Sequence, residues 1–249
     1  MRSFVLLLIF SILTINVSAT HIMGGEITWE CIKDPLNPDL GKYIFRMKVY
    51  RDCDGIPLAT GTETLNVWNH PSITQISLNW QQINDITPQG IGANCLDCTT
   101  NPIGAVEEYV YESQPVSLPG TPPANGWHFT WDSCCRNGAI SNLVILNTAN
   151  PTEGFTLRAS MFPYLDISGN VVPAEPCFDN SPIFKEQAKT ILCTGYPFSY
   201  SNLGFDVELD SISYQWDEPL DDFTGAYNPP ANPIPLPWVA PYTTTSPLP

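Results

Sequence analysis

Hydrophobic and polar residues alternate along several short stretches of this 249-residue chain. From residue 43 to residue 49, for example, Tyr43, Phe45, Met47 and Val49 share one face, while Arg46 and Lys48 lie on the other. An alternation with a period of two is typical of half-buried β-strands. The pattern predicts strands at residues 27–31, 43–49, 76–80, 127–131, 155–161 and 212–216.

Turn-forming residues separate these stretches, as at Asp54-Gly55, Asn125-Gly126 and Asn137-Gly138. No stretch has the apolar spacing of an amphipathic helix longer than two turns. Short strands separated by turns at this spacing favour an all-β fold. We therefore expect tandem antiparallel β-sandwiches, of which the second is incomplete.

The chain divides into four predicted regions. Residues 1–19 resemble a secretory signal peptide, because Arg2 precedes a short apolar run and the small residues up to Ala19 offer a cleavage site. An uncleaved membrane anchor is the alternative, although the run is short for a bilayer. Residues 20–172 form the first predicted domain and residues 173–218 begin a second one. Residues 219–249 contain nine prolines and no Lys or Arg, which predicts an extended tail or the truncated end of a longer protein.

The chain is strongly acidic, with a formal net charge of -15. Cleavage after residue 19 would remove Arg2 and no acid, leaving 9 basic against 25 acidic residues, or -16. This charge argues against nucleic-acid partners and against binding to anionic lipid. Hydrophobic residues make up 43% of the chain, which is ample for folded cores. No second apolar stretch is long enough for a transmembrane helix, so we expect none in the mature chain.

Eight cysteines follow the predicted leader, and an exported chain keeps its cysteines oxidised. We therefore expect disulfides rather than metal or redox chemistry, both at the adjacent pair Cys134-Cys135 and at the Cys95-x-x-Cys98 motif. Cys177 and Cys193, sixteen positions apart, are the best single candidate pair. Cys31 and Cys53 flank a predicted hairpin and could bond each other or the 134/135 pair. Spacing alone does not fix the connectivity. The predicted disulfide cysteines are Cys31, Cys53, Cys95, Cys98, Cys134, Cys135, Cys177 and Cys193.

Three alternating acids, Asp206, Glu208 and Asp210, offer oxygen ligands on one side of an extended segment. Oxygen ligands of this kind suit Ca²⁺, and a solvated face of an edge strand is the alternative interpretation. The sequence contains no GxSxG or HExxH motif, and acidic pairs suited to glycoside hydrolysis occur by chance in many chains. We therefore predict no enzyme and no catalytic residues, and calcium is the single candidate cofactor.

Four blocks of residues follow one another over most of residues 20–220. They are Thr20-His21-Ile22-Met23-Gly24-Gly25-Glu26-Ile27, Val49-Tyr50-Arg51-Asp52-Cys53, Cys134-Cys135-Arg136-Asn137 with Ile140 and Asn142-Leu143, and Asn180-Ser181-Pro182-Ile183-Phe184. In these blocks and in their order the chain resembles the N-terminal region of large secreted and cell-surface proteins of Bacteroidetes-type bacteria, which often end in gliding-motility-associated or type IX secretion sorting domains.

The resemblance implies an extracellular multi-domain protein with Ig-like or cadherin-like sandwiches and a role in adhesion. The chain departs from the family in two respects. Residues 206–210 lack the Gly and Pro of the family's Asp-rich calcium segment, and no stretch of these 249 residues resembles the family's C-terminal sorting domain. We therefore expect that the chain is a fragment or that its export route differs. We expect a non-catalytic binding or structural module, the N-terminal part of an adhesin-like surface protein with an unidentified protein or glycan ligand. The alternative is a secreted carbohydrate-active enzyme or its sugar-binding accessory domain.

Overall fold

The fold was analysed in a computed structural model of the chain. The structure describes residues 21–87, 97–100, 102, 104–134, 136–144, 154–173, 176–177, 179–188, 201, 203–221 and 235–247. Within these residues all regular secondary structure is β. The nine strands are β1 (Ile22–Cys31), β2 (Tyr43–Asp52), β3 (Thr62–Trp68), β4 (Gln75–Asp85), β5 (Val106–Ser113), β6 (Trp127–Ser133), β7 (Phe155–Met161), β8 (Ile183–Phe184) and β9 (Gly204–Phe205).

The first seven strands form one antiparallel sheet in the order β1-β2-β5-β4-β3-β6-β7, and β8 pairs with β9 in a separate two-stranded sheet. The two end strands of the large sheet approach each other, as in a barrel. At Gly25 of β1, an added Cβ would lie 2.7 Å from Cδ1 of Leu157 in β7 and 2.6 Å from the Lys48 carbonyl oxygen. Glycine is therefore needed at this point, because any side chain would push β1 away from β7.

The prediction of an all-β, antiparallel and disulfide-bonded fold is confirmed. The seven-stranded sheet is barrel-like, and the finer Ig-like or cadherin-like sandwich arrangement stays a prediction. Five of the six predicted strand stretches lie within observed strands. The sixth, residues 212–216, does not belong to a strand of the described structure.

The core of the large sheet is aromatic and almost fully closed to solvent. Phe45 of β2 and Phe129 of β6 are completely buried, and their ring centres lie 4.6 Å apart. Trp29 of β1 contacts the same cluster, with its ring centre 5.9 Å from that of Phe129. These contacts join the first two strands of the sheet to the sixth and help to close the barrel.

The chain after β7 packs on both ends of the sheet. Residues 179–181 lie along the free edge of β1, and the Thr156 amide of β7 donates a 3.3 Å hydrogen bond to the Leu220 carbonyl. The proline-rich end is also packed, since Leu236 is fully buried and its amide donates to the Pro219 carbonyl. The part of the predicted tail at residues 235–247 is therefore docked onto the fold. The predicted division at residues 172–173 stays a prediction.

Candidate functional site

The free edge of β1 is covered by residues 179–181, which we call the β1 clasp. The Trp29 amide donates to Ser181 Oγ over 2.8 Å, and the Ser181 amide donates back to the Trp29 carbonyl over 3.0 Å. The Cys31 amide donates to Asn180 Oδ1 over 2.6 Å, and the Trp29 indole donates to the Asp179 carbonyl. The clasp thus satisfies edge groups of β1 that would otherwise be open to pairing with another chain.

The clasp is held covalently by a disulfide between Cys177 and Cys31, whose Cα atoms lie 6.1 Å apart. The predicted pair Cys177–Cys193 is therefore wrong. The short sequence spacing favoured that pair, but the hydrogen bonds of the clasp bring Cys177 to the end of β1, 146 positions away along the chain. Both sulfur-bearing residues are 4% exposed, so the bond is shielded from solvent reductants.

A second disulfide joins Cys53 to Cys98. The suggested bonds from Cys31 or Cys53 to each other or to the 134/135 pair are therefore wrong, because both residues have other partners. The expected disulfide role of the CxxC motif is therefore met at Cys98 by a partner 45 positions away, and the motif is not closed locally on Cys95. Cys134 is also disulfide-bonded. Cys95, Cys135 and Cys193 lie outside the described residues.

Next to the clasp, three carboxylates converge. One oxygen each from Asp179, Asp206 and Glu208 lies within 4.8 Å of the others. Asp206 is 5% exposed and accepts a 3.1 Å hydrogen bond from the Asp210 amide. We call these three residues the acidic cluster. Asp206 and Glu208 were predicted from the sequence, whereas Asp179 was missed and the Asp210 carboxylate is outside the group.

The charge of the acidic cluster is partly compensated by its neighbours. Lys33 forms an ion pair with Glu208 Oε1, and the Asn180 amide group donates to the same oxygen over 2.7 Å. Within the described structure, Asp179 Oδ1 and Glu208 Oε2 are buried without a hydrogen-bond partner. Burial, followed by repulsion from Glu208 and Asp206, raises the pKa of Asp179 to about 6. A proton on Asp179 can therefore satisfy both oxygens by bridging the two carboxyl groups.

The oxygen donors of the acidic cluster are the ligand type that Ca²⁺ prefers, although Lys33 competes for Glu208. Calcium binding therefore stays a prediction, now with Asp179 in place of Asp210. If Ca²⁺ binds, saturating calcium raises the melting temperature of the mature protein. The Asp206→Asn variant should lose this rise, whereas Asp210→Asn should keep it. A wild-type melting curve that is the same with calcium and with EDTA contradicts the prediction.

The acidic cluster also predicts a specific pH dependence of stability. The pKa of Asp179 is about 6 in the fold against an ordinary value of 3.8, so the folded protein binds more protons between these values. Stability from this group is therefore full below about pH 4 and falls as the pH rises to about 6. In Asp179→Asn this fall should disappear. The stability of the variant relative to that of the wild type should therefore be higher at pH 7 than at pH 4.5. Urea unfolding at both values measures the difference, and parallel wild-type and variant profiles would refute it.

Beside the clasp lies a cavity of about 130 Å³, bounded by Trp29, Arg46, Ser181, Ile183 and Val207 among others. This volume is small against the roughly 300–1,000 Å³ typical of small-molecule sites. The cavity has room for a single side chain or a few waters. It does not by itself specify a ligand.

All three histidines are buried, and burial lowers the pKa of each. His128 of β6 shows the resulting neutral state most clearly. Its Nε2 lies 2.6 Å from the Asn125 carbonyl, which can only accept, so Nε2 carries the proton and Nδ1 accepts from Ser160 Oγ over 2.8 Å. These bonds join β6, β7 and the turn before β6.

Comparisons with protein-family models, with curated proteins and with solved structures each found no match. A search of the described residues found no helix of sufficient length and hydrophobicity to cross a membrane.

Proposed function

We propose that this protein is a non-catalytic binding module of an extracellular, cell-surface protein. The observation that carries the proposal is the state of its cysteines. All five that lie in the described part of the chain are disulfide-bonded: Cys31, Cys53, Cys98, Cys134 and Cys177. Disulfides of this number persist in oxidising compartments and are rare in the cytosol.

The sequence resemblance supports the finer parts of the proposal. It points to Ig-like or cadherin-like sandwiches, to export by the type IX route and to adhesion at the surface of Bacteroidetes-type bacteria. Many charged residues of the sheet form ion pairs with each other, which indicates that they stabilise the fold. Arg51 and Glu107, for example, form a buried pair with a 2.6 Å contact between Nε and Oε1.

Binding assays on the purified mature chain test the proposal. The chain is applied to a glycan array and to a panel of immobilised extracellular proteins, and the same samples are assayed for release of glycan fragments. Saturable binding without fragment release supports the module. Release of sugars that depends on the chain contradicts it and favours the carbohydrate-active enzyme. Selective binding to glycans alone would identify the sugar-binding accessory form of the module.

A further inference from the structure

Residues 211–216 form a straight segment without a strand partner in the described structure. The chain runs from residue 209 to residue 219 with neither turn nor bend. None of the backbone hydrogen bonds among the described residues involves residues 211–216. Their side chains nevertheless alternate as in a strand, with Ile212, Tyr214 and Trp216 on one side and Ser211, Ser213 and Gln215 on the other. The sequence pattern therefore encodes a strand whose partner is not among the described strands.

Contacts at both ends hold this segment in place. On the N-terminal side, the Asp210 amide donates to Asp206 Oδ1 over 3.1 Å. On the C-terminal side, Asp217 pairs with Arg158 of β7 over 3.2 Å, and Thr244 donates to Glu218. A segment that is already extended loses less conformational entropy when it binds than a flexible one does.

The middle of the segment is anchored by Tyr214. Its ring lies 6.5 Å from the ring of Phe184 in β8, with the two planes only 20° apart. The Tyr214 hydroxyl occupies the space that a side chain at Gly204 of β9 would need. Glycine at position 204 therefore lets the segment pack across the β8–β9 sheet. This packing fixes the direction in which the apolar side of the segment faces.

The apolar side of the segment remains largely exposed. Tyr214 is 60% exposed, Trp216 is 63% exposed and Phe184 is 45% exposed. Clustered aromatic side chains with this exposure are typical of surfaces that bind a partner.

The charge around the segment indicates the chemistry of that partner. Residues 203–221 contain no Lys, Arg or His. They carry six acids, namely Asp206, Glu208, Asp210, Asp217, Glu218 and Asp221. Lys33 and Arg158 offset two of these acids, Lys185 adds a positive charge over the Phe205 ring of β9, and Asp221 accepts a hydrogen bond from the Gly154 amide, so acids still outnumber bases around the segment. The surplus negative charge favours a partner with basic side chains and disfavours an acidic one.

We propose that residues 211–216 are a preformed acceptor strand that binds a basic, alternately apolar β-strand of a partner protein. The backbone groups of residues 211–216, which have no partner among the described residues, supply the hydrogen bonds of strand addition, while Tyr214 and Trp216 supply the apolar contact. The proposal deepens the proposed function and rests on it, because it assigns a binding surface to the extracellular module.

The test uses the whole mature protein and three synthetic octapeptides with capped ends. The probe alternates Lys and Val, the charge control alternates Glu and Val, and the backbone control alternates Lys and Pro, so that every second residue has no amide donor. We expect the Lys-Val peptide to bind, to slow amide hydrogen exchange at residues 211–216, and to bind more weakly as salt is added.

Variants locate the site on the protein. Tyr214→Ser combined with Trp216→Ser should weaken binding of the Lys-Val peptide by about tenfold or more, since buried aromatic residues dominate such contacts. Phe162→Ser is the matched control, because Phe162 is 57% exposed and its ring lies 6.4 Å from that of His128 in β6, and it should leave the affinity unchanged.

Three results would overturn the proposal. The first is no binding of the Lys-Val peptide at about 1 mM, the limit of a weak complex. The second is equal binding of the Lys-Pro peptide, which would show attraction by charge alone. The third is protection of the amides of residues 211–216 in the free protein, which would show that another part of the chain already covers them. The Tyr214→Ser/Trp216→Ser double variant separates the two proposals. If it keeps wild-type binding on the glycan and protein panels, the acceptor-strand proposal is wrong while the proposed function still holds.

Discussion

Replacing both Cys31 and Cys177 by alanine should destabilise the protein by about 3–5 kcal/mol. The disulfide closes a loop of 146 positions, and a cross-link over such a loop removes much of the freedom of the unfolded chain. The second disulfide, Cys53–Cys98, lies inside this loop and shortens it, so we expect less than the full loop-closure value. Urea unfolding of the oxidised variant and wild type measures the loss.

The same replacement should loosen the β1 clasp before the barrel unfolds. Limited proteolysis is then expected to cut near residues 179–188 in the variant, at protease levels that leave the wild type intact. Cys53→Ala combined with Cys98→Ala is the control, because it removes a disulfide without releasing the clasp. A loss of stability below about 1 kcal/mol in the Cys31/Cys177 variant, without new cleavage, would show that the cross-link has no role in the fold.

Replacing Arg51 by methionine should cost about 3–5 kcal/mol, because it leaves a buried carboxylate without its counter-charge. Arg51 is 4% exposed and Glu107 is 9% exposed. The Arg51 guanidinium also donates to the carbonyls of Gly55 and Cys53, so its loss frees two further acceptors in the loop after β2. Chemical denaturation of the variant measures the cost.

The surface pair Arg46–Glu112 provides the matched control, since its side chains are 44% and 32% exposed. Arg46→Met should change stability by no more than about 1 kcal/mol. Adding Glu107→Gln to Arg51→Met should recover part of the loss, because the neutral amide costs less to bury than an unpaired carboxylate. Equal effects of Arg51→Met and Arg46→Met would contradict the assignment of Arg51–Glu107 as a buried pair that the fold requires.

The sequence predicts the strands that have one face in the core and one outside it. β2 alternates clearly, because its neighbours bury one face completely while Arg46 stays exposed on the other. β6 is buried on both faces, but it keeps the alternation because the buried residues of its second face, His128 and Thr130, are polar. β5 was missed, since Val106–Ser113 is buried at nearly every position and includes the acids Glu107 and Glu108. A strand buried on both faces loses the two-residue alternation on which the prediction depends. β3 was missed as well, because Glu63 lies on its inner face, so that only Leu65 and Val67 remain as alternating buried apolar residues.

The candidate site could be predicted only in part. The acids Asp206 and Glu208 were evident from their spacing, but Asp179 and Lys33 reach them through tertiary packing. The partner of Cys177 also depends on the clasp against β1, which no local pattern encodes. Residues 212–216 carry a strand pattern without a described strand, and that difference between sequence and structure identifies the acceptor segment.

Mass mapping of peptides from the mature, unreduced protein tests the disulfide-held clasp and the extracellular assignment together. We predict a linked peptide pair that contains Cys31 and Cys177, a second pair that contains Cys53 and Cys98, and no free thiol at Cys134. Free thiols at Cys31 and Cys177 in protein isolated from its own cells, or a link between Cys177 and Cys193, would contradict both the clasp and the extracellular module built on it.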